Sequence, residues 1–266
     1  MAINKGKLLK GEPIEINNDI TLYQPTVEEV LDFGESDFWS TFYTMCSSAW
    51  DMPSVFAKMG INFMEVDDWT YFRFVSAAMP QKSTSLIFDD IDFSACREMR
   101  RNHDDGTYDI VLYDKERDLI IDESTYKSFI GYVREMICFQ HSGKKALDKA
   151  TAKILIMLDE KDRKRKSNAD SSTIFDIIVT LVNTEEFKYN YETVNDITLY
   201  QLMKSFIQIQ GKKNACALLQ GAMSGMCDTS NVNKLDMQWI YSDEKYKPRT
   251  RKLINNKTKK SLKSWQ

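Results

Sequence analysis

Between Tyr126 and Ile137 the chain sets Tyr126, Phe129, Ile130, Val133, Met136 and Ile137 at intervals of three and four residues. At 3.6 residues per turn those side chains share one face of a helix, and such a face must be buried against other elements. Asp122, placed before the stripe, is suited to accept the free N–H groups of the first turn. The chain is therefore expected to be a packed helical body. Its 266 residues are enough to bury a sizeable core.

The same periodicity recurs upstream. Phe38, Trp39, Phe42, Tyr43, Met45 and Cys46 fall at helical spacing in a segment expected to begin at Ser36 and end near Trp50. Pro53 suits a first helical turn, so Met52–Lys58 is expected to be a short helix stopped by Gly60. Asp67 or Asp68 caps a further helix carrying Trp69, Phe72, Phe74, Val75 and Ala78 before Pro80. Downstream, 144–158 reads as a helix running into the charged stretch 159–166, and 173–182, 195–210 and 212–223 read as three more. Lys234–Ile240 adds an apolar anchor at Trp239.

Two places break the helical pattern. Residues 13–16 and 20–23 alternate around Asn17-Asn18-Asp19, a hairpin signal because Asn tolerates the positive φ of tight turns. Pro25 closes this unit, and Thr26 with Glu29 forms a capping box for a helix over 27–33 that ends at Gly34. Tyr108–Tyr113 and Asp118–Ile121 make a second hairpin, while Leu86–Phe88 reads as a short strand and Phe93–Arg101 as a helical turn. The expected class is α+β and predominantly α: a helical body, two small antiparallel β-hairpins and a disordered basic C-terminal tail.

Charge divides the chain. Residues 245–266 carry nine Lys or Arg and no acids, leaving 27 basic against 39 acidic residues, about −12, in 1–244. The polar run Ser167–Ser172 after the charged 159–166 suggests an exposed connection. The expected organisation is an α+β part over 1–160, a linker over 161–172, a helical part over 173–244 and the tail over 245–266. One heptapeptide, Asn-Asp-Ile-Thr-Leu-Tyr-Gln, occurs twice, at 18–24 and 195–201. Its flanks do not match, so no domain-sized repeat is visible.

Little in the sequence points to chemistry. The two histidines, His103 and His141, have no second His at ligand spacing, and Cys138 near His141 lacks two further ligands. The five cysteines form no CxxC pair and read as reduced thiols. Acids cluster at Asp89, Asp90 and Asp92, at Asp104 and Asp105, and at Asp109 and Asp114 beside Lys115. Carboxylates with a nearby Lys are what a metal-dependent nuclease needs, but Asp is equally at home in solvated turns. No phosphate-binding loop is present. The expectation is a protein without enzymatic activity, cofactor or metal. The N-terminal segment lacks a signal-peptide pattern, and no apolar run reaches the roughly 18 residues of a membrane span.

Two stretches carry a resemblance. Gly11–Val30 with Phe33-Gly34-Glu35, and Gln220–Thr229 followed by Leu235-Asp236 and Trp239-Ile240, resemble uncharacterised proteins in the tail-gene modules of phages and prophages of Gram-positive bacteria. That group includes proteins regarded as tail assembly chaperones. The resemblance covers about a fifth of the chain. It implies a non-enzymatic phage protein in the host cytoplasm, or carried in the virion, that binds tail or tape-measure protein through apolar surface. Phe38, Trp39, Phe42, Trp69, Phe72, Phe129 and Trp239 are the candidate contacts, with core packing as the competing role for the same side chains. The alternative function is nucleic-acid binding through the tail, where Lys247, Arg249, Arg251, Lys252, Lys259 and Lys260 would neutralise phosphates.

Overall fold

The computed structural model describes residues 3–143, 146, 148–166 and 173–224. The chain divides into two compact units, Met1–Lys204 and Ser205–Gln266. The expectations for the 167–172 connection, Trp239 and the 245–266 tail lie outside the described residues. In the second unit the description runs to Ser224 and is almost wholly helical.

The first unit is a helical body with two small sheets. It opens with α1 (Lys5–Lys10), capped at its C-terminal end by Gly11 in the left-handed region, φ 70°. Strands β1 (Ile14–Glu15) and β2 (Thr21–Leu22) pair antiparallel, Ile14 opposite Leu22. The turn between them forms as expected but for a different reason. Asn17 and Asn18 have no positive φ. The Asn17 side chain closes the turn instead, its Oδ1 accepting the N–H groups of Asp19 at 3.0 Å and Ile20 at 2.8 Å.

The helix α2 (Val27–Phe33) begins at the expected capping box, Thr26 with Glu29, and stops at Gly34, φ 102°. Then come α3 (Glu35–Cys46), a 3-10 turn at Ala49–Asp51, α4 (Pro53–Lys58) and α5 (Asp68–Ser76), with Asp67 as the N-cap of α5. Two expectations fail next. Leu86–Phe88 is the end of a helix, α6 (Gln81–Phe88), not a strand. Pro80 starts it, and Thr84, Ile87 and Phe88 fall at helical spacing on its buried side. Phe93–Arg101 is a turn only at its start, where Cys96 N–H donates to Phe93 O at 3.3 Å, because Arg97–Asn102 is a strand, β3. It pairs antiparallel with β4 (Tyr108–Asp114), which pairs with β5 (Leu119–Ile121), so the second sheet has three strands in the order β3-β4-β5.

Helix α7 (Glu123–Met136) starts at Asp122, whose carboxylate accepts the Thr125 N–H at 2.9 Å. It buries the stripe read from the sequence, Tyr126, Phe129, Ile130, Val133 and Met136. Helix α8 (Lys149–Lys166) takes in the charged stretch, and α9 (Ile174–Val182) begins at a Thr173–Asp176 capping box. The two helices expected over 195–210 and 212–223 are one helix, α10 (Leu199–Met223). Gly211 inside it costs helix stability, roughly 1 kcal/mol against Ala, but does not end it.

The repeated heptapeptide folds in two ways. In the first copy Thr21-Leu22 is strand, and Pro25 ends the unit. In the second, Thr198 is the N-cap partner of α10: Gln201 Oε1 accepts the Thr198 N–H at 2.9 Å and Thr198 Oγ1 accepts the Gln201 N–H at 3.2 Å. The copies meet around α1. Thr26 bridges Thr198, Val27 N–H donates to Ile197 O and Leu199 N–H to Pro25 O, each at 2.9 Å. The two matching glutamines hold the end of α1: Gln24 donates to Lys7 O and Glu12 O, and Gln201 to Leu9 O at 2.7 Å. The carbonyls that a helix C-terminus leaves free are thus bound by the two copies.

Candidate functional site

The aromatic residues expected to face a partner form the core. Phe38, Phe42, Trp69, Phe72 and Phe129 are all buried. Phe72 lies at the centre, its ring centroid 4.7 Å from Tyr126, 5.5 Å from Phe129, 5.6 Å from Phe93 and 6.0 Å from Trp69. Edge-to-face and offset contacts of this kind suit rings packed in an interior. Trp39 is half-buried, and its Nε1–H donates to Glu35 at 3.2 Å. Glu35 also accepts the Ile174 N–H at 2.7 Å, so it fixes the start of α9. In this arrangement these side chains hold the fold, and the role of core packing falls to them.

Exposed apolar surface lies elsewhere, most densely on α8. A smaller cluster of Ala49, Phe56, Phe63, Tyr71 and Ala152, flanked by Trp50, Met52 and Ile156, seats one side of this helix. Asp159 fixes its placement: its Oδ2 accepts both the backbone N–H of Ser54 at 3.1 Å and the Ser54 hydroxyl. A carboxylate there satisfies donors at the start of α4, where Pro53 offers none. With that side inward, Ile154 (56% exposed), Met157 (68%) and Leu158 (44%) project outward at spacings of three and four. They form an apolar face of adaptable side chains on the surface of the first unit.

Several of the acids singled out in the sequence are engaged by neighbouring groups. Asp109 binds Arg101, which also reaches Asp122 at 3.1 Å, and His103 Nε2 lies 3.4 Å from Asp109. The Arg101 hydrogen bonds hold the Asp109 carboxyl below its usual range. Asp114 is buried and accepts the Glu116 N–H, Asp92 accepts from Ser94, and Asp90 pairs with Arg117 at 2.9 Å. The acids that suggested a nuclease do not converge. Among the described residues no group of three or more His, Cys, Asp and Glu is placed to hold a metal ion.

His141 meets Asp51. Asp51 lies in the 3-10 turn, and its carboxylate engages His141 Nδ1 at 2.7 Å, the Ser142 N–H at 2.8 Å and the Ser48 N–H and hydroxyl at 3.0 and 2.8 Å. Burial disfavours the Asp51 charge, but these hydrogen bonds more than offset it and hold its pKa well below the usual carboxylate range. Burial pushes the Cys46 thiol up to about 12 and the Cys96 thiol to about 11, which suits them to packing rather than to nucleophilic attack. Among the described residues no helix is long and apolar enough to cross a membrane.

Residues 163–242 match the model of a family described as the YomV second domain, a phage-associated family. The match runs from the last turn of α8 through α9 and α10 and on past the described residues. It fits a phage protein. No curated protein and no solved structure matches the chain.

Proposed function

We propose that the chain is a non-enzymatic phage protein that assists tail morphogenesis by binding tail or tape-measure protein, as an assembly chaperone or a minor tail component. The observation that carries this reading is the exposed face of α8. Ile154, Met157 and Leu158 stand in water on a helix whose other side is fixed by Ala152, Leu155 and the Asp159–Ser54 contacts. An apolar face of this spacing fits the apolar side of a partner helix, with anchors read at intervals of three and four. A tape-measure protein offers long helices of that kind, which need cover before they assemble. The phage-associated family match supports the setting, and the host cytoplasm is where such cover is needed.

A second reading rests on the charge of residues 245–266. Nine cations without an acid suit the neutralisation of nucleic-acid phosphates, with affinity falling steeply as salt rises. Affinity purification of the tagged full-length chain from phage-producing cells, with mass spectrometry of what accompanies it, separates the two. Recovery of tape-measure or tail-tube protein is expected. Recovery of nucleic acid with polymerase or repair proteins, and of no tail component, would move the function to the basic segment.

A further inference from the structure

Strand β3 is an edge strand of unusual openness: five of its six residues are exposed, and among the described residues no strand pairs with its outer edge. Natural edges of this length are normally covered or blunted, since their free N–H and C=O groups invite another strand. The direction of those groups follows from the hairpin. His103 N–H donates to Thr107 O at 2.9 Å, so His103 turns its backbone toward β4, and by alternation so do Arg101, Met99 and Arg97. Glu98, Arg100 and Asn102 then direct their N–H and C=O groups outward.

We propose that a second copy of the chain docks on this edge, β3 against β3, antiparallel about a twofold axis through Met99, giving one continuous six-stranded sheet. The charges select both the occupant and the register. Antiparallel pairing sets outward-directed residues opposite each other, so the axes that overlap five of the six residues of β3 pass through Met99 or Arg100, and one through Glu98 overlaps three. An axis at Glu98 places two carboxylates face to face, and one at Arg100 places two guanidinium groups face to face. The axis at Met99 sets Glu98 of each copy opposite Arg100 of the other, giving two opposite-charge pairs and four backbone hydrogen bonds. It also brings the half-exposed Met99 side chains together at the axis.

The remaining juxtaposition is Arg97 opposite Arg101, and Arg101 is already neutralised by Asp109 and Asp122. Glu98 is exposed enough to serve a second cation beside its present partner, Arg73, 2.8 Å away. Arg100 lies over Tyr108 of β4, 3.7 Å from the ring centroid, with its Nε donating to Asn102 Oδ1 at 3.1 Å, and its exposed guanidinium turns toward the edge to meet Glu98 of the other copy. The charges that repel an unrelated basic strand are thus complementary to their own copy in one register. This surface is separate from the α8 face, and its occupancy does not depend on the function proposed for that face.

The test is the association of the purified full-length chain, measured by analytical ultracentrifugation over a concentration series. The wild type is expected to dimerise. Glu98→Arg and Arg100→Glu each create two like-charge pairs and are expected to weaken the dimer about tenfold or more. The double reversal Glu98→Arg with Arg100→Glu is expected to bring affinity back to within about threefold of wild type. A monomer at every concentration overturns the proposal, as does a dimer insensitive to the reversals. A cross-link offers a second readout that does not depend on these ion pairs. At the axis the Cα atoms of Met99 would stand about 4.5 Å apart, inside the roughly 4.4–6.8 Å that a disulfide spans. In a chain carrying Cys216→Ser and Cys227→Ser, Met99→Cys is expected to give an oxidised dimer and Tyr108→Cys to give none. Equal cross-linking of the two overturns the register.

Discussion

Phe72 and Phe74 sit two residues apart on α5, and the structure assigns them opposite costs of removal. Phe72 is 0% exposed and meets four rings, whereas Phe74 is 53% exposed and touches one, Phe56, at a centroid distance of 6.2 Å. Replacing a fully buried Phe by Ala loses the transfer energy of the ring and leaves a cavity, together about 3–5 kcal/mol. The ring contacts make the upper half of that range the better value, because α5, α7 and the Phe93 segment all lean on Phe72 and cannot close the gap together. Phe74→Ala leaves no interior cavity and should cost about 1 kcal/mol or less. For a unit of this size 1 kcal/mol moves the midpoint by about 2–4 °C. Thermal unfolding followed by near-ultraviolet circular dichroism should therefore show Phe72→Ala melting about 8–20 °C below wild type and Phe74→Ala within about 4 °C of it. Equal losses, or a larger one for Phe74, would refute the placement of the aromatic residues in the core.

Three further outcomes follow from single contacts. Tyr126 buries its hydroxyl without a hydrogen-bond partner among the described residues; Tyr126→Phe should leave stability unchanged or raise it by up to about 2 kcal/mol, read from denaturant midpoints. Asp51→Asn removes the charge and replaces with an NH2 donor one of the two carboxylate oxygens that four groups share, and should cost about 2–3 kcal/mol near neutral pH. Because the Asp51 pKa is lower folded than unfolded, its contribution is complete above about pH 4 and is lost as pH falls through the folded value; a pH series of unfolding curves should show the variant missing that acid limb. Gly11→Ala puts a Cβ 3.1 Å from Thr198 Cγ2 at φ 70°; it should destabilise by about 1–2 kcal/mol and loosen α1, seen as faster hydrogen exchange there.

The parts legible in the sequence are those whose signals are local. The Thr26–Glu29 box, the Asp122 cap, the 14–22 hairpin and the stripe on α7 need only neighbouring residues to declare themselves, and each forms. Strand β3 does not declare itself, because Arg97–Asn102 has no apolar alternation and owes its extension to pairing with β4. The heptapeptide marks the limit of local reading, since seven identical residues are strand before Pro25 and helix start before Leu202. The aromatic residues were legible as apolar faces but not as to what covers them. The α8 face was hidden for the opposite reason. Ile154-Leu155-Ile156-Met157-Leu158 is a continuous apolar run, and only the packing of Ala152, Leu155 and Ile156 beneath it decides which side meets water.

That face bears the proposed function, and one comparison tests it most directly. Tagged full-length wild type, Ile154→Asp with Met157→Asp, and Phe175→Asp are purified from phage-producing cells, and the tail proteins that accompany each are quantified. Phe175 is 65% exposed on α9 and serves as a control for adding an acid to an exposed apolar position. Tape-measure or tail-tube protein should accompany the wild type and Phe175→Asp and be lost from the double variant, which should keep its melting temperature. Tail protein retained in full by the double variant, or absent from the wild type, would contradict the assignment of α8 as the binding surface.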